Sequence, residues 1–224
     1  MGQDGRMTLD ITVRGSAEQH HTAERAIVSL AAAVEGHDKQ TVFSDAVGIQ
    51  EPLTAQLKEL VGRHAVQTWS SDQVRVFSHR PWEGDGRRGD MLHVAKVHVR
   101  AEFTDFERLS AFLDHWSGID GVEIGGIVWD VSVKNRRVYE AEVRKAAVDD
   151  AVSKAQSYAN AVRRGKVVAA HIADPGMLSG SGDAPVPLFR SAAFGGADAG
   201  GPELDLTPEE IVIRVEVDAR FLAD

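Results

Sequence analysis

The sequence predicts a fold built of both strands and helices, and three observations predict it. Met7, Leu9, Ile11 and Val13 alternate with Thr8, Asp10, Thr12 and Arg14 near one end of the chain. Ile211, Ile213, Val215, Val217, Ala219 and Phe221 alternate with Val212, Arg214, Glu216, Asp218 and Arg220 near the other. Both are the period-two pattern of a strand with one buried face. Between them, residues 135–164 carry Val138, Ala141, Val148, Val152, Ala155, Ala159 and Val162 at steps of three and four, which predicts a long helix with that stripe turned to the core.

The remaining elements follow in order. Ala26–Val34 suits either a helix, being rich in alanine, or a strand ending at Gly36, since Val28, Leu30, Ala32 and Val34 share a strand face. From about Asp38 to Arg63 the spacing of Leu53, Leu57, Leu60 and Val61 is helical, with Pro52 expected to break or kink the helix. Val74–His79 and Leu92–Phe103 read as a β-hairpin around the polar loop Pro81–Asp90. A short helix is expected from about Asp105 to Trp116, stopped at Ser117-Gly118, and then a strand over Val122–Val133. The long helix has Asp150 and Lys154 as an i,i+4 pair and Gly165 as its expected left-handed cap. Lys166–Ala173 is a short strand, expected to pair with the last strand across Asp174–Pro208, a segment rich in Gly, Pro, Ser and Ala that is expected to be flexible.

Composition bounds the function. The chain has 224 residues, room for one large or two small domains, and is read as one domain over 1–224, with two intertwined subdomains as the alternative. Thirty-four acidic residues against 25 Lys and Arg give a net charge of -9, which disfavours nucleic acid as a partner because such binding rests on neutralising phosphates. There is no cysteine, so thiol catalysis, disulfides and cysteine-held metal are excluded. The longest weakly polar run, Ala26–Val34, is well short of the ~20 residues of a spanning helix, so no membrane span is expected. The polar opening Met1–Arg6 is not a secretory signal, which makes the expected location cytoplasmic, or exported if the sequence is a trimmed mature form.

Motifs that bear chemistry are weak. His20 and His21 are adjacent, but His37, His64, His79, His115 and His171 stand alone, and His93 and His98 fall on opposite faces of one strand. Gly84, Gly86 and Gly89 spell G-x-G-x-x-G in a hairpin loop, where no helix follows to hold a phosphate. Gly180-Ser181-Gly182 lacks the strand and helix of a nucleophile elbow. Asp149 and Asp150 point about 100° apart on their helix and do not converge. No catalytic residue, metal site or cofactor is therefore assigned.

Interface residues are the better candidates. Trp82 stands in a charged loop beside Arg87 and Arg88, and either anchors an interface or packs over its own hairpin. Residues 134–166 hold nine basic against four acidic residues, with Arg136, Arg137 and Arg144 as candidate contacts, whereas residues 174–210 hold seven acidic residues against Arg190. Two such segments attract, within one subunit or between two; the alternative is a solvated helix face held by local ion pairs.

The motif order resembles one family. Ile11-Thr12-Val13-Arg14-Gly15-Ser16-Ala17 is similar to the V-x-G-x-A opening of the SIMPL-domain family, a group of unknown function. Leu57-Lys58-Glu59-Leu60, Thr68-Trp69-Ser70-Ser71, Ile124–Ser132, Tyr139-Glu140-Ala141, Ala146–Ala151, Lys154–Ala159 and Pro208-Glu209-Glu210-Ile211 resemble its later motifs, so the likeness runs from about residue 8 to 222. It implies an α+β fold in the order β-β-α-β-β-α-β-α-β-β, with antiparallel or mixed sheets packed on the long helix, and makes Ala26–Gly36 a strand. It also implies self-association and brings no catalytic set. The function expected is a non-enzymatic, self-associating interaction or scaffold protein, a homo-oligomer of unknown ligand. The alternative is a small-molecule binder or enzyme with a pocket beneath residues 174–208.

Overall fold

A computed structural model of the chain describes residues 8–82, 84, 86, 88–178 and 206–224. Its elements are β1 (Leu9–His21), β2 (Arg25–Gly36), α1 (Lys39–Gly62), β3 (Val66–Ser71), β4 (Arg75–His79), β5 (Leu92–Phe103), α2 (Phe106–Ser117), β6 (Val122–Asp130), α3 (Val133–Ala161), β7 (Val167–Ala173) and β8 (Ile211–Ala223). The class is α+β, with antiparallel sheets. β3 and β4 both lie along β5, one beside Val99–Phe103 and the other beside Leu92–Lys96, with only residues 72–74 between them. They act as one interrupted strand, and the expected order of elements holds.

The described chain forms two compact units. The first holds β1, α3, β7 and β8; the second holds β2 to β6 with α1 and α2. In the first, the sheet order is β1-β8-β7, with Leu9 opposite Ala223 and His21 opposite Ile211 in one unbroken register. One face turns Ile11, Val13, Val217, Ala219 and Phe221 toward α3. In the second, the order is β3-β5-β2-β6, with β4 also on β5. Val28, Leu30, Val99 and Phe103 meet Leu53 and Leu57 of α1 and Leu109, Phe112 and Trp116 of α2 in its core.

Side-chain caps set where the helices start. Asp38 accepts a hydrogen bond from the Thr41 amide at 2.7 Å, Asp105 from Arg108 at 3.1 Å and Ser132 from Asn135 at 3.2 Å. Each satisfies an amide that the first turn leaves without a partner. Ser132 thus ends the preceding strand early: β6 stops at Asp130, and the helix begins at Val133 rather than Asn135.

Three expectations of local structure are corrected. Pro52 does not break α1, which runs from Lys39 to Gly62 through it. The ring meets the carbonyl of Gly48, a residue with no side chain to crowd it, and both residues are exposed, so water can bond the freed carbonyl. The left-handed residue that closes α3 is Arg163, with φ 61°, not Gly165. Of the expected stripe of α3, Ala155 and Ala159 are buried and Val148 is partly buried, but Val138, Ala141, Val152 and Val162 are exposed, and Val143, Ala147 and Ala151 complete the buried face.

Close contact explains that stripe. An ideal Cβ built on Gly15 of β1 falls 2.0 Å from the Ala147 carbonyl oxygen and 2.7 Å from the Ala151 Cβ. At this approach the helix backbone lies on the strand backbone, and opposite Gly15 no side chain larger than that of Ala147 or Ala151 fits beneath α3. Valine is wider at Cβ, and outward is where α3 carries Val138, Val152 and Val162.

Candidate functional site

The two edges of the first unit's sheet differ. On β1, Asp150 of α3 accepts a hydrogen bond from the Ser16 amide at 2.9 Å, and Lys154 donates to the Arg14 carbonyl at 3.0 Å. Asp150 and Lys154 are themselves 2.6 Å apart, so an i,i+4 pair visible in the sequence seals the middle of this edge. The Lys154 hydrogen bond, followed by that of the Ser16 amide, holds the Asp150 carboxyl below its ordinary pKa. β7 is the opposite edge. Its residues 168–172 are all exposed, with Val168 67% and Ile172 53% accessible, because α3 lies over β1 and β8. Val167-Val168-Ala169-Ala170-His171-Ile172-Ala173 holds no Lys, Arg, Asp, Glu or Pro. One irregularity of register, between Ala169 and His171, interrupts its pairing with β8.

The two long terminal strands therefore leave little free edge. β8 is the central strand, paired on both sides, and β1 spends one edge on β8 while α3 seals part of the other. The exposed face of this sheet is charged instead. Arg14 reaches Asp218 at 2.7 Å and Glu216 at 3.5 Å, Arg220 binds Asp10, and Arg214 meets Glu216 at 3.3 Å. Asp218 is buried, and the Gly176 amide donates to it at 2.7 Å. The Arg14 hydrogen bond keeps its carboxyl below the ordinary value, against the opposing effect of burial.

The candidate interface residues are placed as follows. Trp82 is 71% exposed, and the Arg88 guanidinium sits 5.1 Å from its ring centre across the bridge between the two residues. Arg87 lies outside the described residues. Arg136 and Arg137 stand in the first turns of α3, Arg136 partly buried and Arg137 exposed, with Arg144 exposed two turns on. Trp82 and Arg88 belong to the second unit and the three α3 arginines to the first. Of the acidic segment, residues 179–205 lie outside the described residues, as does most of the expected pocket beneath 174–208.

In the second unit, a partly buried ion triad stands on the sheet face away from the helices. Arg25 reaches Glu102 at 3.0 Å and Asp130 at 2.6 Å, and its Nε is buried with no partner. Burial works against the Arg25 charge, yet the hydrogen bonds to Asp130 and Glu102 outweigh it and raise its pKa. Beside the triad is a concavity of about 310 Å³ whose lining includes Arg25, Ile27, Thr68, Ser70, Arg100 and Glu102. Sequence reading missed this group. The alternation on β5 does show that Lys96, His98, Arg100 and Glu102 share the face opposite the core, but not that β2 and β3 flank it.

Among the described residues, no three His, Asp or Glu side chains gather as a metal site would require. His21 stacks on Tyr139 with ring centres 3.6 Å apart, and His93 Nδ1 lies 2.7 Å from Ser78 Oγ.

Fold and surfaces together define an α+β protein made of an antiparallel three-stranded sheet under one helix and a second antiparallel sheet under two. The family model for SIMPL, described as a protein of unknown function (DUF541), matches residues 11–221, and the chain belongs to that family. A search of curated proteins found no match.

Proposed function

We propose that the chain is a non-enzymatic interaction or scaffold module that works by self-association, and that β7 is the strand through which copies meet. The observation that carries this reading is the contrast between the two sheet edges: the middle of β1 is sealed by Asp150 and Lys154, while β7 has no strand on its outer side among the described residues, is exposed over 168–172 and is free of Asp, Glu, Lys and Arg. An exposed apolar edge strand presents unpaired amides and carbonyls to any strand of matching pattern, and natural folds usually blunt such an edge with charge or proline. The occupant that fits is a second β7. In any antiparallel register of two copies, apolar or small residues stand opposite one another, and His171 is the only titratable group. The irregularity near Ala170 confines regular pairing to one half of the strand at a time.

Trp82, Arg88, Arg136, Arg137 and Arg144 are proposed as secondary contacts of the assembled state, Trp82 foremost because a large exposed aromatic suits an interface anchor. Amide hydrogen exchange followed at rising protein concentration tests the reading. Protection of residues 167–173 that grows with concentration is the expected result. Protection there that is independent of concentration, while light scattering reports one monomer mass throughout, contradicts it.

A further inference from the structure

The concavity on the second unit's sheet brings ion-paired groups together with polar side chains that have no partner among the described residues. Arg100 lies on β5 between Ser70 of β3 and Ser29 of β2 in register, and it is exposed. Among the described residues the side chains of Arg100, Thr68 and Ser70 have no hydrogen-bond or ion-pair partner. The neighbouring cations are occupied: Arg25 holds Glu102 and Asp130, and Lys96 holds Glu123. Arg100 is thus an uncommitted fork of donors over a concave wall, with two hydroxyls beside it on the adjacent strand.

Charge decides what such a place would take. Arg25 and Arg100 are balanced by Glu102 and Asp130, so the site as a whole is near neutral and does not favour a bare anion. Glu102 stands two residues from Arg100 on the same face, about 7 Å along the strand, and gives only one carboxylate oxygen to Arg25. A positive group and a negative group side by side match a ligand that carries both charges. Ile27 adds an apolar surface, and a volume of about 310 Å³ is at the small end for ligand pockets.

We infer that this concavity is a binding site for a small zwitterion of the free amino-acid class. The Arg100 guanidinium takes its carboxylate, Glu102 accepts from its ammonium, the Thr68 and Ser70 hydroxyls complete the polar contacts, and Ile27 meets an apolar side chain. A planar, bidentate fork suits a carboxylate better than a point charge does. This inference is independent of the self-association reading.

Calorimetric titration of the full chain with L-leucine, acetate and methylamine tests it. L-Leucine is expected to bind at least about tenfold more tightly than either half-ligand. Arg100→Gln is expected to weaken L-leucine by about tenfold or more, and Thr68→Ala with Ser70→Ala to weaken it less, with thermal midpoints unchanged because none of these side chains has a partner among the described residues. Arg144→Gln, on the other unit, is expected to bind as the parent does. Equal binding of acetate and L-leucine would overturn the zwitterion assignment, and L-leucine binding unaffected by Arg100→Gln would overturn the site. Absence of any L-leucine heat, with no saturation-transfer signal by NMR, would overturn both.

Discussion

At the scale of single residues, the V-x-G-x-A opening acquires a physical reason. Val13 is buried, and Gly15 is the point where α3 touches β1, with no room for a methyl group between it and Ala147. Gly15→Ala is therefore expected to push helix and strand apart and lower stability by about 3 kcal/mol, the upper part of the overpacking range, seen as a lower denaturant midpoint. A shift within about 0.5 kcal/mol would contradict the close approach. Asp218 makes a different prediction. Its carboxyl pKa is lowered in the folded state, chiefly by Arg14, so the stability it contributes is fully present above the unfolded carboxylate value of about 3.9 and is lost as pH falls through the folded value. Asp218→Asn is expected to lower stability at neutral pH and to flatten the acid side of the stability profile, measured by urea unfolding between about pH 2 and 6. An acid limb unchanged from the parent would count against that linkage. The glycine motif was visible in the sequence, but its reason was not, because Ala147 lies far along the chain and only the folded contact joins them.

At the scale of elements, strand alternation transferred well and helix orientation did not. A strand has two faces, so Ile11 and Val13 or Ile213 and Val217 declare the inner one by parity alone. A helix has a continuum of faces, and α3 offered two stripes. Periodicity joined Val138, Val152 and Val162 to Ala155 and Ala159 in one stripe, yet only the alanines of that set are buried, and the close approach at Gly15 places Ala147 and Ala151 beside them. Ala151→Leu is accordingly expected to cost about 2 kcal/mol or more by forcing α3 off the sheet, whereas Val152→Ala, at an exposed position, is expected to stay within about 0.5 kcal/mol; thermal or urea unfolding of the two variants separates them. The reverse ranking would restore the stripe that sequence periodicity suggests. The seal on β1 was half legible: Asp150 and Lys154 were readable as a helical pair, but their hold on Ser16 and Arg14 depends on which strand lies beneath. The concavity was illegible for the same reason. It needs β3, β5 and β2 in that spatial order, and no local pattern encodes the neighbours of a strand.

At the scale of the whole molecule, the net charge of -9 opposes the meeting of two copies, since like-charged particles repel. A strand without acidic or strongly basic side chains is where that repulsion has least local expression, and β7 is such a strand. Screening by salt should then favour assembly through β7, whereas assembly through the α3 arginines against acidic residues should weaken with salt. The central claim is that open edge. Sedimentation velocity of the parent chain and of Val168→Lys with Ile172→Lys tests it most directly, because both residues are exposed and their replacement leaves the monomer's packing intact. The parent is expected to sediment as a dimer or larger species that dissociates on dilution and strengthens with added salt, and the double variant as a monomer under the same conditions. A parent chain that is monomeric throughout the micromolar range, or a double variant that assembles as the parent does, would contradict it.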